Sequence, residues 1–220
     1  MSKSGSQSPT SSGFAAVLWD FGGVILSSPF EAFNDYEDAH GIPRDLIRTV
    51  NATNPDSNAW ALLERSEISH DQFNEMFASE SEAHGHRIPG ADVLALLHGS
   101  VRPDMVDLLD RVISEGYRTA CLTNNVVPHN ENPTGERDRQ ILDILKRFDE
   151  VVQSSKVGVR KPEPRFYEIA CEMLNVTPKE CVFLDDLGIN LKPAAAMGMT
   201  TIKVTSSTQA ISDLSKILGL

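Results

Sequence analysis

A chain of 220 residues, 40% of them hydrophobic, has enough apolar material for one domain with an insert or for two small domains. Its net charge of −11 opposes association with nucleic acid or with an anionic membrane surface, so neither is expected as a partner. Cys121, Cys171 and Cys181 make no zinc pattern and no disulfide framework, no apolar run approaches membrane-spanning length, and no leader with an apolar centre is visible. The expectation is a cytoplasmic protein with free, buried thiols.

Residues 1–13 are rich in serine and are expected to form a disordered tail. Residues 14–19 are an apolar run too short for a helix, and it runs straight into Asp20 and the pair Gly22-Gly23. An aspartate there is costly to bury without a partner or a task. In an open α/β sheet that strand end is where ligands bind, and glycines let the backbone turn tightly beside them. Between residues 26 and 101 there is no strand pattern. Amphipathic helices are predicted at 30–40, 44–50, 57–65, 69–84 and 91–98, with Ser69 as an N-cap. This all-helical insert, residues 29–99, leaves from the ligand end of the first strand and is expected to lie over the site as a cap. The core would then be 14–28 and 100–220. A helix at 103–115 opens on Pro103 and stops at Gly116. Further strands at 117–122, 150–153, 181–184 and 200–204 alternate with helices at 163–174 and 190–197. Such alternation predicts an α/β fold with a parallel sheet covered on both faces.

Four polar elements fall at the ends of these strands or in the loops that follow: Asp20; Thr123-Asn124-Asn125; Lys161 in Val159-Arg160-Lys161-Pro162-Glu163-Pro164; and Asp185-Asp186, with Asn190 four residues on. Together they suit phosphoryl transfer. A carboxylate can attack phosphorus and form an acyl-phosphate. Mg²⁺, which favours one or two carboxylates plus waters, would offset charge between nucleophile and phosphate, with Asp20 and Asp186 as its carboxylates. The Thr123 hydroxyl and adjacent backbone N–H groups can hold phosphate oxygens, and Lys161 can balance the remaining charge. Singly, each has an ordinary explanation: a surface lysine before a helix, a strand-end threonine, a pair of turn acids. All four in one order along one sheet edge are poorly explained that way.

With these residues the chain resembles the haloacid dehalogenase-like hydrolases, whose four motifs match Asp20, Thr123, Lys161 and Asp185-Asp186 in order. The strings Val159-Arg160-Lys161-Pro162-Glu163-Pro164-Arg165-Phe166-Tyr167 and Phe183-Leu184-Asp185-Asp186-Leu187-Gly188-Ile189-Asn190-Leu191-Lys192-Pro193-Ala194 are similar to the N-terminal phosphatase domain of soluble epoxide hydrolases. They also resemble the related domain fused to some acyl-CoA dehydrogenases. The resemblance implies a Rossmann-like core with an inserted helical cap, Mg²⁺, a small phosphorylated substrate and an aspartyl-phosphate intermediate. It implies Asp20 as nucleophile and metal ligand, the Gly22 carbonyl and Asp186 as further metal ligands, and Asp185 as the residue that orients Lys161 or metal-bound water. Thr123, Asn124 and Lys161 would bind phosphate. A monomer or homodimer is expected.

One position departs from that pattern. Most phosphatases of the family carry an aspartate two residues after the nucleophile as general acid and base, and here Gly22 stands there. General acid–base catalysis is typically worth about 10²–10⁴-fold. A slow or non-catalytic phosphate-binding protein is therefore the alternative reading, and a metal-independent dehalogenase the second. The acid pair Asp185-Asp186 argues for a metal enzyme. The absence of lysine between residues 4 and 145 argues against Schiff-base chemistry in the cap. Weaker signals are His84 and His86 near a helix end, Arg44, Arg48 and Arg65 as cap cations that could meet an anionic substrate, Trp60 as cap core, and His129 as a substitute proton donor.

Overall fold

A computed structural model describes residues 13–97, 99–124 and 135–220. The predicted tail up to residue 12, His98, Asn125 and His129 lie outside the described residues.

Five parallel strands, β1 (Ala16–Trp19), β2 (Arg118–Thr123), β3 (Glu150–Gln153), β4 (Cys181–Asp185) and β5 (Thr200–Lys203), form one sheet in the order β3-β2-β1-β4-β5. The chain builds outward from β1 through β2 to β3, then crosses back to place β4 on the other side of β1. That reversal opens a crevice at the carboxyl ends of β1 and β4, the ordinary ligand position in such sheets. Register puts Trp19 beside Cys121 and beside Leu184, so Asp20 emerges level with the ends of both neighbours.

The alternation of β1 divides the core. Val17 and Trp19 join a cluster with Met105, Leu109, Val112, Leu214 and Leu218 on one face. Ala16 and Leu18 join Phe166, Tyr167, Ala170, Phe183 and Ala194 on the other. Both faces of the central strand are thus buried, as a parallel sheet covered by helices demands.

Between β1 and the core helices lie α1 (Phe30–His40), α2 (Leu46–Ala52), α3 (Ala59–Glu64), α4 (His70–Ala83) and α5 (Gly90–Leu96). They have their own core, built on Phe33, Ile47, Val50, Leu63, Phe73, Phe77 and Val93. Ser69 caps α4 in a reciprocal box: its Oγ accepts from the Gln72 N–H at 3.2 Å, and Gln72 Oε1 accepts from the Ser69 N–H at 2.8 Å. The two chain segments that enter and leave these helices are stitched together. Leu26 and Val101 form an antiparallel bridge, the Ser27 N–H donates to Ser100 O at 2.8 Å, and the Ser100 N–H donates to Ser27 Oγ at 2.9 Å.

The core helices are α6 (Pro103–Ser114), α7 (Glu136–Leu145), the single turn α8 (Ser154–Val157), α9 (Pro164–Leu174), α10 (Gly188–Ala196) and α11 (Ser207–Leu218). Three of them, α7, α8 and α11, are not announced by the sequence pattern. In α7 only Ile144 and Leu145 are buried, so its apolar stripe is narrow. The first turns of α11 are Ser/Thr-rich, and α8 is too short to show a period. Cys121, Cys171 and Cys181 are buried free thiols, and none of the described helices is long and apolar enough to cross a membrane.

Candidate active site

β1 delivers Asp20, which is 8% exposed. The chain then makes one wide turn, Phe21–Ile25, closed by the Leu26 N–H to Phe21 O at 2.9 Å. Inside it Gly22 is extended, at φ −70°, while Gly23 adopts φ 76°. Gly23 has a second reason to lack a side chain: a Cβ there would lie 2.2 Å from Asp186 Oδ2. The bare backbone at Gly23 therefore lets the fourth motif approach the first. Arg102, at the start of α6, donates to Gly23 O at 2.9 Å and braces the turn from behind.

Lys161 is only 1% exposed, in contrast to the surface lysine that its position before a helix also allowed. Its Nζ sits 2.8 Å from Asp20 Oδ1 and 2.8 Å from Asp185 Oδ2. Burial opposes the lysine's charge, but Asp185 and Asp20 outweigh it and hold the ammonium well above its ordinary pKa. Asp185 is fully occupied. Its oxygens also accept from Asn190 Nδ2 at 3.0 and 3.1 Å and from the Leu187 N–H at 2.8 Å. It thus positions the lysine and the start of α10.

The side chain of Asn124 is taken up by the loop that carries Lys161. Its Oδ1 accepts from the Lys161 N–H at 2.8 Å and its Nδ2 donates to Lys161 O at 2.9 Å, so the amide brackets the lysine's own peptide groups. Ser154 at the head of α8 holds Asn124 in turn, donating from Oγ to its carbonyl at 3.1 Å. Thr123, the last residue of β2, is buried at the same sheet edge.

Asp20, Asp185 and Asp186 offer oxygens that all lie within 4.8 Å of one another. Burial pushes Asp186 up to about 6, with Asp185 adding to the rise and Lys161 opposing it. Burial likewise raises Asp20 well above the usual carboxylate range, despite Lys161. Among the described residues, Lys161 bridges Asp20 and Asp185 while Asp186 has no ion pair, so carboxylates outnumber the cations that touch them. With Asp185 saturated, Asp20 and Asp186 keep oxygen donors of the kind hard divalent cations prefer. The residues therefore fit Mg²⁺.

Several predicted residues do not converge here. Arg44 pairs with Asp38 at 2.6 Å, Arg48 with Asp45 at 2.8 Å, and Arg65 with Glu67 at 2.5 Å, all within the helical insert. His84 is exposed at the end of α4. Trp60 packs edge-on against Phe73, with ring centroids 5.6 Å apart, in the core of the insert where it is expected. Conversely, Glu64, Ser154 and Arg102 belong to the site's surroundings although no motif marks them, as does Arg160, which the motif around Lys161 contains without a role of its own.

The profile of the haloacid dehalogenase-like hydrolases matches residues 14–198, and the chain belongs to that family of hydrolases. It is 33% identical to acyl-CoA dehydrogenase family member 10 of Mus musculus over 211 residues, which is 94% of this chain and 19% of that protein. It is 30% identical to bifunctional epoxide hydrolase 2 of Mus musculus over 217 residues, covering 92% of this chain and 38% of that protein. The chain therefore spans well under half the length of these two relatives. Sesquiterpene phosphatase astK of Aspergillus oryzae matches at 27% identity, over 94% of this chain and 97% of its own. The fold is shared with a Bacteroides thetaiotaomicron enzyme of the same family, solved with magnesium and inorganic phosphate, at a TM-score of 0.55 and 18% identity over 86% of this chain and 93% of the other.

Proposed function

We propose that the chain is a Mg²⁺-dependent phosphatase that hydrolyses a small phosphorylated metabolite through a phosphoaspartate on Asp20. The observation that carries this reading is the Asp20–Lys161–Asp185 bridge with Asp186 beside it. A phosphatase among its near-full-length relatives and a magnesium–phosphate complex among its structural neighbours support it.

Asp20, Asp186 and the Gly22 carbonyl would hold the cation, which when bound neutralises charge between nucleophile and phosphate. The Phe21 N–H donates to Asp20 Oδ1 at 2.6 Å and fixes that oxygen, leaving Oδ2 to approach phosphorus. As an Asp20 oxygen forms its bond to phosphorus, the bond to the leaving oxygen breaks. Thr123 holds one phosphoryl oxygen, and the Lys161 ammonium, kept protonated by Asp185, balances charge on the others. Water then attacks phosphorus and releases Asp20. No carboxyl stands at Gly22 to protonate the leaving alkoxide, which makes leaving groups that depart as anions the favoured ones. The paired acids favour this chemistry over metal-free dehalogenation.

The test is a panel of phosphorylated metabolites with Mg²⁺, beside Asp20→Asn. Asn keeps the shape but neither attacks nor carries charge, so turnover should vanish in the variant and in excess chelator. Undiminished hydrolysis by Asp20→Asn, or halide release that resists chelation, would overturn the proposal.

A further inference from the structure

Among the described residues, two carboxylates are buried in the helical insert, Glu37 and Glu64. Glu37 serves the insert itself, accepting from the N–H groups of Asp45 and Ile47 at 2.7 and 2.8 Å at the start of α2. Glu64 faces the other way. It ends α3, is 6% exposed, and accepts from Trp60 Nε1 at 3.0 Å through Oε1. Its Oε2 lies 2.6 Å from Arg160 Nε and 3.5 Å from Asn124 Nδ2, both groups of the core. Arg160 also donates to Pro55 O at 3.1 Å, so one core side chain meets the insert both before α3 and at its end.

The two residues that Glu64 touches lead to Lys161. Arg160 is its chain neighbour, and Asn124 brackets its peptide groups. A primary amide has a donating end and an accepting end. Facing a carboxylate, only the donating end is favourable. The Glu64 charge therefore reinforces the orientation in which Asn124 Oδ1 meets the Lys161 N–H. With the opposite orientation, Oδ1 would face Lys161 O, acceptor against acceptor.

We propose that Glu64 is a positioning residue for Lys161: by docking on Arg160 and Asn124, the helical insert locks the backbone of the lysine that bridges Asp20 and Asp185. The catalytic consequence rests on the phosphatase reading above; the placement of Lys161 does not. Insert and core are then coupled in both directions, because an insert that lifts takes with it the acceptor that orients Asn124.

A pH signature accompanies this. Burial pushes the Glu64 carboxyl up to about 7 against the opposing pull of Arg160, the Trp60 hydrogen bond, Lys161 and Arg65. With Asn124, these are the polar groups that face it from α3, the β2 end and the loop before α9. The charged form, and its hold on Asn124, exists above that pH and is lost as pH falls through it.

The readout is amide hydrogen exchange at Lys161, corrected for intrinsic rates at pH 8 and pH 6, in wild type, Glu64→Gln and Trp60→Phe. Protection should fall about tenfold in Glu64→Gln at pH 8, a scale set by about 1.4 kcal/mol of lost hydrogen bonding. It should fall in wild type from pH 8 to pH 6, show no such step in Glu64→Gln, and persist in Trp60→Phe, which leaves Oε2 its partners. With p-nitrophenyl phosphate and Mg²⁺, Glu64→Gln should lower kcat about tenfold with a smaller change in KM. Unchanged Lys161 protection in Glu64→Gln, even with a lowered Tm, would reduce Glu64 to a structural role and overturn the proposal. So would the absence of the pH step in wild type, which requires no variant. A wild type without turnover would overturn the phosphatase reading and leave the exchange result to decide the positioning role.

Discussion

Lys161→Met removes the ammonium that bridges two buried carboxylates while keeping most of the side chain's volume. Lys161 is 1% exposed, Asp185 0% and Asp20 8%, so water cannot take the lysine's place without opening the site. Removing one partner of a buried ion pair costs about 3–5 kcal/mol, chiefly because the charge left behind has no compensation. Here two carboxylates lose the same partner. The total stability of a domain is about 5–15 kcal/mol, so the variant should remain folded but lose a large part of its margin. Lys156 is the control: exposed in α8, its change to Met should stay within about 0.5 kcal/mol. The loss should also depend on pH. Without Lys161, Asp20 loses the charge that opposes the effect of its burial, so it holds its proton still more tightly in the folded chain than in the unfolded one. The folded state then binds more protons, so stability of the variant rises as pH falls, and its deficit against wild type shrinks from pH 8 to pH 5. Urea unfolding at both pH values measures this through the midpoint, provided the slope is unchanged. A deficit below about 1 kcal/mol at pH 8, one equal to that of Lys156→Met, or one that grows toward pH 5 would refute the reasoning.

Gly23→Ala should weaken Mg²⁺ binding and cost about 1–3 kcal/mol in thermal or urea unfolding, because φ 76° is strained for alanine and its Cβ would lie 2.2 Å from Asp186 Oδ2. Gly188→Ala, where an added Cβ meets nothing within 4 Å, should leave both measurements nearly unchanged. Rates on a series of phosphate esters should fall steeply as the leaving group becomes more basic. Gly22→Asp, whose backbone at φ −70° accepts a side chain, should flatten that dependence; a flat series in wild type would show that another acid already protonates the leaving group.

Much of the fold can be read locally. An apolar run ending in Asp20, four further runs of strand length, and helices opened by Pro103 or stopped by Gly116 and Gly198 announce a parallel α/β sheet, because period and punctuation are properties of neighbouring residues. The capping residues of α4 are equally local. What escaped was weak in the same terms: α7 buries too few residues to show a stripe, and α11 begins in serine and threonine.

The sequence by itself determined which chemistry-bearing residues are present and in what order: Asp20, Thr123, Lys161, Asp185 and Asp186, with glycine at position 22. Their meeting was decided by tertiary structure. Strand order set β4 beside β1, and parallel register brought Asp20 level with Asp185. Burial turned Lys161 from one more lysine into the shared counter-ion of two acids. The role of Asn124 as a bracket for Lys161, and the reach of Glu64 into the core, were decided the same way. Hydrogen bonds between residues 37 and 60 positions apart leave no period or spacing in the chain, because they depend on where separate elements dock rather than on what lies next to each residue.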